Sequence, residues 1–221
     1  MAHATMAPLR IDVVSDIVCP WCYIGTRRLE QAIDSLDGAG SAEAPLVAYH
    51  PFLLDPSIPA AGVDLREQLR RKYGGDPEAM FARVEAAARE TGIPLDFAKV
   101  QRMVSTVGAH TLLRHAAARG TQRALAAALF EAYFLDGRDI GQATVLAVLA
   151  ERQGFSADEA LRLIGDEKER RRTREDAEES ERRGVEGVPF FMFGDRLALS
   201  GAQPLKVFRS TIERARNEVA S

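Results

Sequence analysis

Strand-forming sequence is confined to the two ends of this 221-residue chain. Residues 10–15, Arg-Ile-Asp-Val-Val-Ser, are short, apolar and β-branched, and read as a strand buried in a sheet. Residues 46–53 read as a second strand, and Pro51 puts its end near a sheet edge. Between them, residues 23–36 space Ile24, Leu29, Ala32, Ile33 and Leu36 along one helical face, with Gly38 to Ser41 as the exit loop. The β pattern returns only at residues 187–193 and 196–200, joined by a two-residue Gly194-Asp195 turn. A last helix over 204–219 carries Leu205, Val207, Phe208 and Ile212. The opening is therefore a βαβ unit, and whatever separates it from the final strands is an insertion, not a tandem domain.

That insertion reads as helix throughout. Asp64 with Glu67 makes a capping box and Gly74-Gly75 a stop. Asp76-Pro77 supplies an N-cap with proline at N1, ahead of Met80, Phe81, Val84 and Ala88. Gly92 and Pro94 break this helix. Further helices are expected over 106–119, 121–135 and 142–153, and Ser156 with Glu159 caps another. Residues 166–183 hold eight acidic and seven basic side chains, with offsets such as Arg171–Glu175, Glu178–Arg182 and Glu179–Arg183. That alternation describes a solvated helix laced with i,i+4 pairs, and it outweighs the Arg170-Arg171-Arg172 block as a nucleic-acid signal. The expected organisation is one α/β domain in two parts, residues 10–62 and 184–219, split by an all-helical insertion domain over 63–183.

Composition narrows the function classes. With 46% hydrophobic and 28% charged residues the chain is an ordinary globular protein, long enough to fold without metal or disulfide staples. The 29 basic and 32 acidic residues leave a net charge of −3, which offers nothing to nucleic acid or an anionic membrane. Arginine outnumbers lysine 25 to 4, a bias of composition and not a recognition surface. No apolar run nears the roughly 18 residues of a membrane span. The first ten residues lack the apolar core of a secretory signal, so a cytoplasmic location is expected.

Only two cysteines are present, three positions apart, as Cys19-Pro20-Trp21-Cys22 at the first strand-to-helix junction. In a reducing compartment that spacing points to redox or metal chemistry and not to a structural bridge. A thiolate is the attacking species in disulfide exchange, and a helix N-terminus favours one through unpaired N–H groups and a partial positive charge. Cys19 occupies that end, and Cys22 shares its face one turn inward. Pro20 fits the first turn, where its missing N–H costs nothing. Such a pair can exchange an external disulfide for its own, Cys19 attacking and Cys22 resolving. Half of a shared metal site, or two structural cysteines, are the other readings of the same residues.

The block from Ser15 to Gly25, Ser-Asp-Ile-Val-Cys-Pro-Trp-Cys-Tyr-Ile-Gly, resembles the active-site segment of DsbA-like thioredoxin-fold proteins, specifically the FrnE-like subgroup. The resemblance continues in family order through Pro51-Phe52-Leu53-Leu54-Asp55-Pro56, Ala109-His110, Leu129 to Phe134, Gly184 to Pro189 and Ser200-Gly201-Ala202-Gln203. It implies a thioredoxin fold with the helical insertion between its second and third strands. It also implies that Val188-Pro189 is the cis-proline loop facing the cysteines, its backbone available to an extended substrate. Ser105 departs from the pattern, standing where relatives often carry asparagine.

Around this pair, Asp16 is a candidate proton acceptor for Cys22, or else a turn or capping residue. Pro20 and Trp21, with Val188 and Pro189, are candidate substrate contacts, Trp21 being either partly exposed or part of the core. His110 and His115, spaced i,i+5 without a neighbouring Glu, read as packing or hydrogen-bonding histidines, and no metal site is expected. Phe190, Phe191 and Phe193 read as core. The leading function is a thiol–disulfide oxidoreductase, working as reductase or isomerase on protein or small-molecule disulfides. It would hold no tightly bound cofactor and draw electrons from glutathione or a thioredoxin-type donor. The rivals are a glutathione-dependent isomerase of aromatic carboxylates, which typically carries Ser where Cys19 stands, and a non-catalytic chain-binding module.

Overall fold

A computed structural model describes residues 8–37 and 44–219; the expected exit loop at 38–41 lies outside these described residues. Four strands form the main sheet: β1 (Arg10–Ser15), β2 (Leu46–Pro51), β5 (Phe190–Phe193) and β6 (Leu197–Ser200), in the order β2-β1-β5-β6. β1 runs parallel to β2, pairing Arg10 with Leu46 through Ser15 with Pro51, and antiparallel to β5, pairing Val13 with Phe191. β1 is thus a central strand, which accounts for its near-continuous burial. Pro51 ends β2 at the sheet edge, as its missing N–H requires. The strand stops there instead of running to Leu53, because β1 has no residue left to pair beyond Ser15.

α1 (Pro20–Asp37) and α9 (Leu205–Val219) pack against each other on the sheet face that carries Ile11, Val13, Phe191 and Phe193. Phe191 meets Phe208 of α9 edge-to-face at 4.9 Å. Phe190 alternates to the opposite face and joins Val14, Phe52 and Val185 in a smaller apolar cluster. The β5–β6 turn has three residues, Gly194, Asp195 and Arg196, not two, since Phe193 pairs directly with Leu197. Gly194 takes a positive φ of 59° and donates its N–H to the Arg10 carbonyl at 2.8 Å, tying the turn to β1.

The insertion lies between the second and third strands of the main sheet: α2 (Leu65–Tyr73), α3 (Pro77–Glu90), α4 (Val107–Ala117), α5 (Gln122–Phe134), α6 (Ala143–Glu151), α7 (Ala157–Gly165) and α8 (Glu167–Arg182). Its helix starts follow their caps: Asp64, Asp76 and Ser156 accept from the N–H groups of Glu67, Glu78 and Glu159. One correction is needed. The insertion is not all-helical, because β3 (Val63–Asp64) and β4 (Arg102–Met103) form a two-stranded antiparallel ladder. Strands of two residues are too short for alternation to show in sequence. On α8, Arg171–Glu175 and Glu179–Arg183 pair as expected, whereas Arg182 turns to Glu179 and not Glu178.

The insertion shares a core with the sheet. α4, α5 and α8 all pack on β2, and Ser180 of α8 donates its hydroxyl to the Pro51 carbonyl at 3.1 Å. Tyr23 of α1 stacks on Phe130 and Phe134 of α5, with ring centroids 5.3 and 5.8 Å apart. Such pairs contribute about 0.5–1.5 kcal/mol each beyond their burial. On its other side α1 meets the sheet at Gly25, where a Cβ would lie 3.0 Å from both Pro189 Cγ and Phe191 Cζ. Phe191 is fully buried and cannot retreat. Gly25→Ala is therefore expected to lower stability by about 1–2 kcal/mol, overpacking outweighing the gain in helix propensity. Urea unfolding of the two proteins measures this; an equal or raised midpoint would show that the contact relaxes freely.

Candidate active site

The site begins where β1 ends. Asp16, Ile17 and Val18 turn the chain into α1, and the Cys19 N–H closes the turn on the Asp16 carbonyl at 3.0 Å. Pro20 is the first residue of α1, so Cys19 stands at the cap, its carbonyl accepting from the N–H groups of Cys22 and Tyr23 at 3.1 and 3.2 Å. Both cysteines are free thiols. Cys19 keeps 5% of its surface open, while Cys22 is sealed at 0%. Burial pushes the Cys22 thiol well above the ordinary range, and contact with Cys19 and the charge of Asp16 push it further, against a hydrogen bond from the Asp16 backbone. The two sulfurs are thus chemically unequal.

The Val188–Pro189 bond is cis. Val188 presents its carbonyl 3.9 Å from the Cys19 sulfur, close enough for the thiol to donate. The loop is held from behind: Gly201 donates its N–H to the Pro189 carbonyl at 2.8 Å, and Arg28 of α1 donates to the Ala202 carbonyl at 2.8 Å. Arg28 also donates to Thr91 of the insertion at 2.9 Å, so one side chain joins α1, the insertion and the 200–203 segment. Trp21 is half-buried against the core, with the Arg83 guanidinium 5.9 Å from its ring centroid. Both expectations for Trp21 apply to it in part.

Asp16 opens the turn into α1 through its backbone carbonyl, while its side chain is engaged elsewhere. It is 1% exposed; its Oδ2 accepts the Leu54 N–H at 2.9 Å, and its Oδ1 lies 3.3 Å from His110 Nε2. His110, on α4, is 2% exposed. The sequence reads this histidine as a packing or hydrogen-bonding residue and does not reveal its partner, Asp16. The available signal was a polar residue set among the apolar positions Ala109, Leu112 and Leu113 of α4. His115 points elsewhere and pairs with Glu169 of α8 at 2.9 Å. Among the described residues, no group of three or more His, Cys, Asp or Glu is placed to hold a metal ion.

Cysteines on a thioredoxin-type helix end, opposite a cis-proline, define the class, and the chain belongs to the DSBA-like thioredoxin domain family, which matches residues 10–213. The family is one of thiol–disulfide oxidoreductases. The chain is similar to a probable DsbA oxidoreductase from Streptomyces coelicolor, with 31% identity, TM-score 0.83, and coverage of 95% of this chain and 91% of that one. It is 27% identical over 210 residues to the uncharacterized protein YwbO of Bacillus subtilis, covering 92% of this chain and 96% of that one. It also shares the fold of the cytosolic disulfide reductase DsbM from Pseudomonas aeruginosa, solved with GSH, at 20% identity and TM-score 0.66, covering 95% of this chain and all of that one. Among the described residues no helix is long and apolar enough to cross a membrane.

A second feature lies on the sheet face that carries Asp12 and Val14. There a cavity of about 1110 Å³ opens between the strands and α8, and its lining does not include the cysteines. At its edge Asp12 accepts from Arg10 and lies 2.6 Å from His50 Nε2. Burial alone would raise the Asp12 carboxyl, but the hydrogen bonds to His50 and Arg10 outweigh it and hold the group at about 2. A carboxyl depressed in the folded state stabilises above its unfolded value near 3.8 and loses that contribution as pH falls through about 2. Asp12→Asn should therefore flatten the acid limb of the stability curve between those values, by about 1–2 kcal/mol. Unfolding midpoints of both proteins from pH 5 to 2 check this; parallel curves would show that Asp12 is not coupled to folding.

Proposed function

We propose that the protein is a thiol–disulfide oxidoreductase in which Cys19 attacks and Cys22 resolves. The observation that carries this reading is the inequality of the two cysteines, both buried, Cys19 at the helix cap keeping 5% exposure and Cys22 one turn inside keeping none. In the first step the Cys19 thiolate attacks a substrate disulfide, forming a mixed disulfide and releasing one substrate thiolate, which takes up a proton. In the second, Cys22 loses its proton and attacks the Cys19 sulfur. The Cys19–Cys22 disulfide forms and the other substrate thiol leaves. Two electrons pass from the cysteine pair to the substrate.

Pro20 and Trp21 border the attacking sulfur, and Val188 and Pro189 face it, so an extended substrate segment lies between them with its backbone beside Val188. The substrate is a disulfide in a protein or a small molecule, with no part for nucleic acid or membrane. No tightly bound cofactor is required; glutathione or a thioredoxin-type donor returns the pair to the dithiol. In a reducing cytoplasm the pair rests reduced, which favours reduction or isomerisation over net oxidation.

On this reading Cys22→Ser accumulates a mixed disulfide on Cys19 when exposed to oxidised glutathione, whereas Cys19→Ser accumulates none. Intact-mass and peptide mapping read the outcome, and adducts on Cys22 alone would reverse the roles. Turnover of a hydroxychromene-type carboxylate with glutathione, without disulfide turnover, would replace the reading with an isomerase. Binding of unfolded chains that survives loss of both cysteines, with neither activity, would replace it with a chain-binding module.

A further inference from the structure

Alternation along the four strands sends two cross-strand rows to the sheet face opposite α1. Ala48, Asp12, Met192 and Ala198 form one, and His50, Val14, Phe190 and Ser200 the next. α4 and α8 seat on β2, at one edge of the sheet, and leave this face of β5 and β6 with less cover. Ala48 and Ala198, on the two outer strands, are too small to fill the space below the helices. The cavity of about 1110 Å³ stands there. It lies at the large end of small-molecule sites, which run to about 1,000 Å³. The cysteines do not line it, and α1 packs on the other face, so it is no part of the redox centre.

Charge around the cavity is not matched. Four carboxyls and five arginines line it. Three of the carboxyls are engaged: Asp12 by Arg10 at 2.7 Å, Asp176 by Arg114 at 2.8 Å, and Glu179 by Arg183 at 3.0 Å. The fourth, Asp195 on the β5–β6 turn, lies near enough to Arg10 to act on its charge. The two histidines of the lining also face carboxyls, His50 that of Asp12 and His115 that of Glu169. Arg172 of α8 and Arg196 of the β5–β6 turn are left over. Neither side chain has a hydrogen bond or ion pair among the described residues. Below them Val14, Phe190 and Met192 supply an apolar floor.

We propose that this cavity is a second binding site, for a free amphipathic organic carboxylate, with its apolar body on Val14, Phe190 and Met192 and its carboxylate paired with Arg172 and Arg196. The lining discriminates among ligand classes. An inorganic anion would leave the apolar floor in water, and a neutral apolar molecule would leave both guanidiniums unmatched. A polyanion would meet Asp12, Asp176, Glu179 and Asp195 along the same walls. One carboxylate on an apolar body meets none of these objections, and the planar guanidinium fork suits it. From β2 to β6 the floor crosses three strand spacings, so a body up to about 14 Å long can lie across it. The proposal is independent of how the two cysteines divide their roles.

The test titrates the reduced full chain with dansylaminoundecanoate, which brightens in apolar surroundings, and with its methyl ester as the uncharged twin. Wild type should bind the acid at a single site, about 10-fold more tightly than the ester. Arg172 and Arg196 are exposed, so their substitution leaves the fold intact. Arg172→Gln and Arg196→Gln should each weaken the acid about 5-fold and leave the ester unchanged. Ala198→Trp, which fills the floor from the open edge strand, should weaken both. Cys19→Ser should bind both as wild type does. Absence of acid binding, equal affinity for acid and ester, or unchanged acid affinity in either arginine variant or in Ala198→Trp would overturn the proposal. Loss of binding in Cys19→Ser would move the probe to the redox centre and overturn it too. Capture of the protein by phosphatidylglycerol vesicles without binding of the free acid would assign the arginines to a lipid surface. A dimer in sedimentation that Ala198→Trp disrupts and the acid does not would assign the face to a second copy. Either result replaces the proposal.

Discussion

One buried carboxyl side chain ties together the corner that holds the two cysteines. Asp16 sits at the exit of β1, takes the N–H of Leu54 from the chain leaving β2, and faces His110 from α4. Removing a carboxylate from water costs several kcal/mol unless its oxygens find partners. The three segments therefore have to meet at this point for the fold to be stable. Their meeting fixes the turn in which the Cys19 N–H bonds the Asp16 carbonyl, and with it the start of α1. The same carboxylate raises the Cys22 thiol by its charge while its own backbone opposes that effect. Structure and chemistry share a single group.

The helical insertion is part of the site's frame. Phe130 and Phe134 stack on Tyr23, the residue after Cys22, while Pro189 and Phe191 close on Gly25 from the sheet side. The first two turns of α1 are thus gripped from both sides, and Arg28 ties the next turn to Thr91 and Ala202. Disulfide exchange depends on alignment of the sulfurs, and a frayed helix end would spoil it. An insertion that packed only on itself could not supply this support. Here α4, α5 and α8 lie on β2, and the core continues across the junction.

Local signals in the chain carried a large part of this architecture. The Asp64, Asp76 and Ser156 caps form from residues two or three positions apart, so their geometry is written in adjacent sequence. The same holds for the cysteine pair, where cap, proline and i+3 spacing are all local. The β3–β4 ladder escaped because Val63 and Met103 are far apart in the chain and each strand is two residues long. The third residue of the β5–β6 turn escaped because the Gly194 N–H bonds to Arg10 on another strand. Glu178 lost Arg182 to Glu179 by a choice between two nearly equal helical offsets, which periodicity alone does not rank.

The sequence by itself determined the βαβ opening, the helical insertion, and the placement of Cys19 at a helix start with Cys22 one turn inward, because each follows from short-range periodicity, capping and turn chemistry. The thioredoxin-type frame was implied by the resemblance of its motifs to a known family. Only the tertiary structure decided which cysteine keeps a trace of exposure, that Val188 turns its carbonyl to Cys19, and that His110 reaches Asp16. Burial and long-range hydrogen bonding belong to no local segment. They arise when residues distant along the chain meet, Val188 on Cys19 and His110 on Asp16, and it is in that packing that two like thiols become unlike.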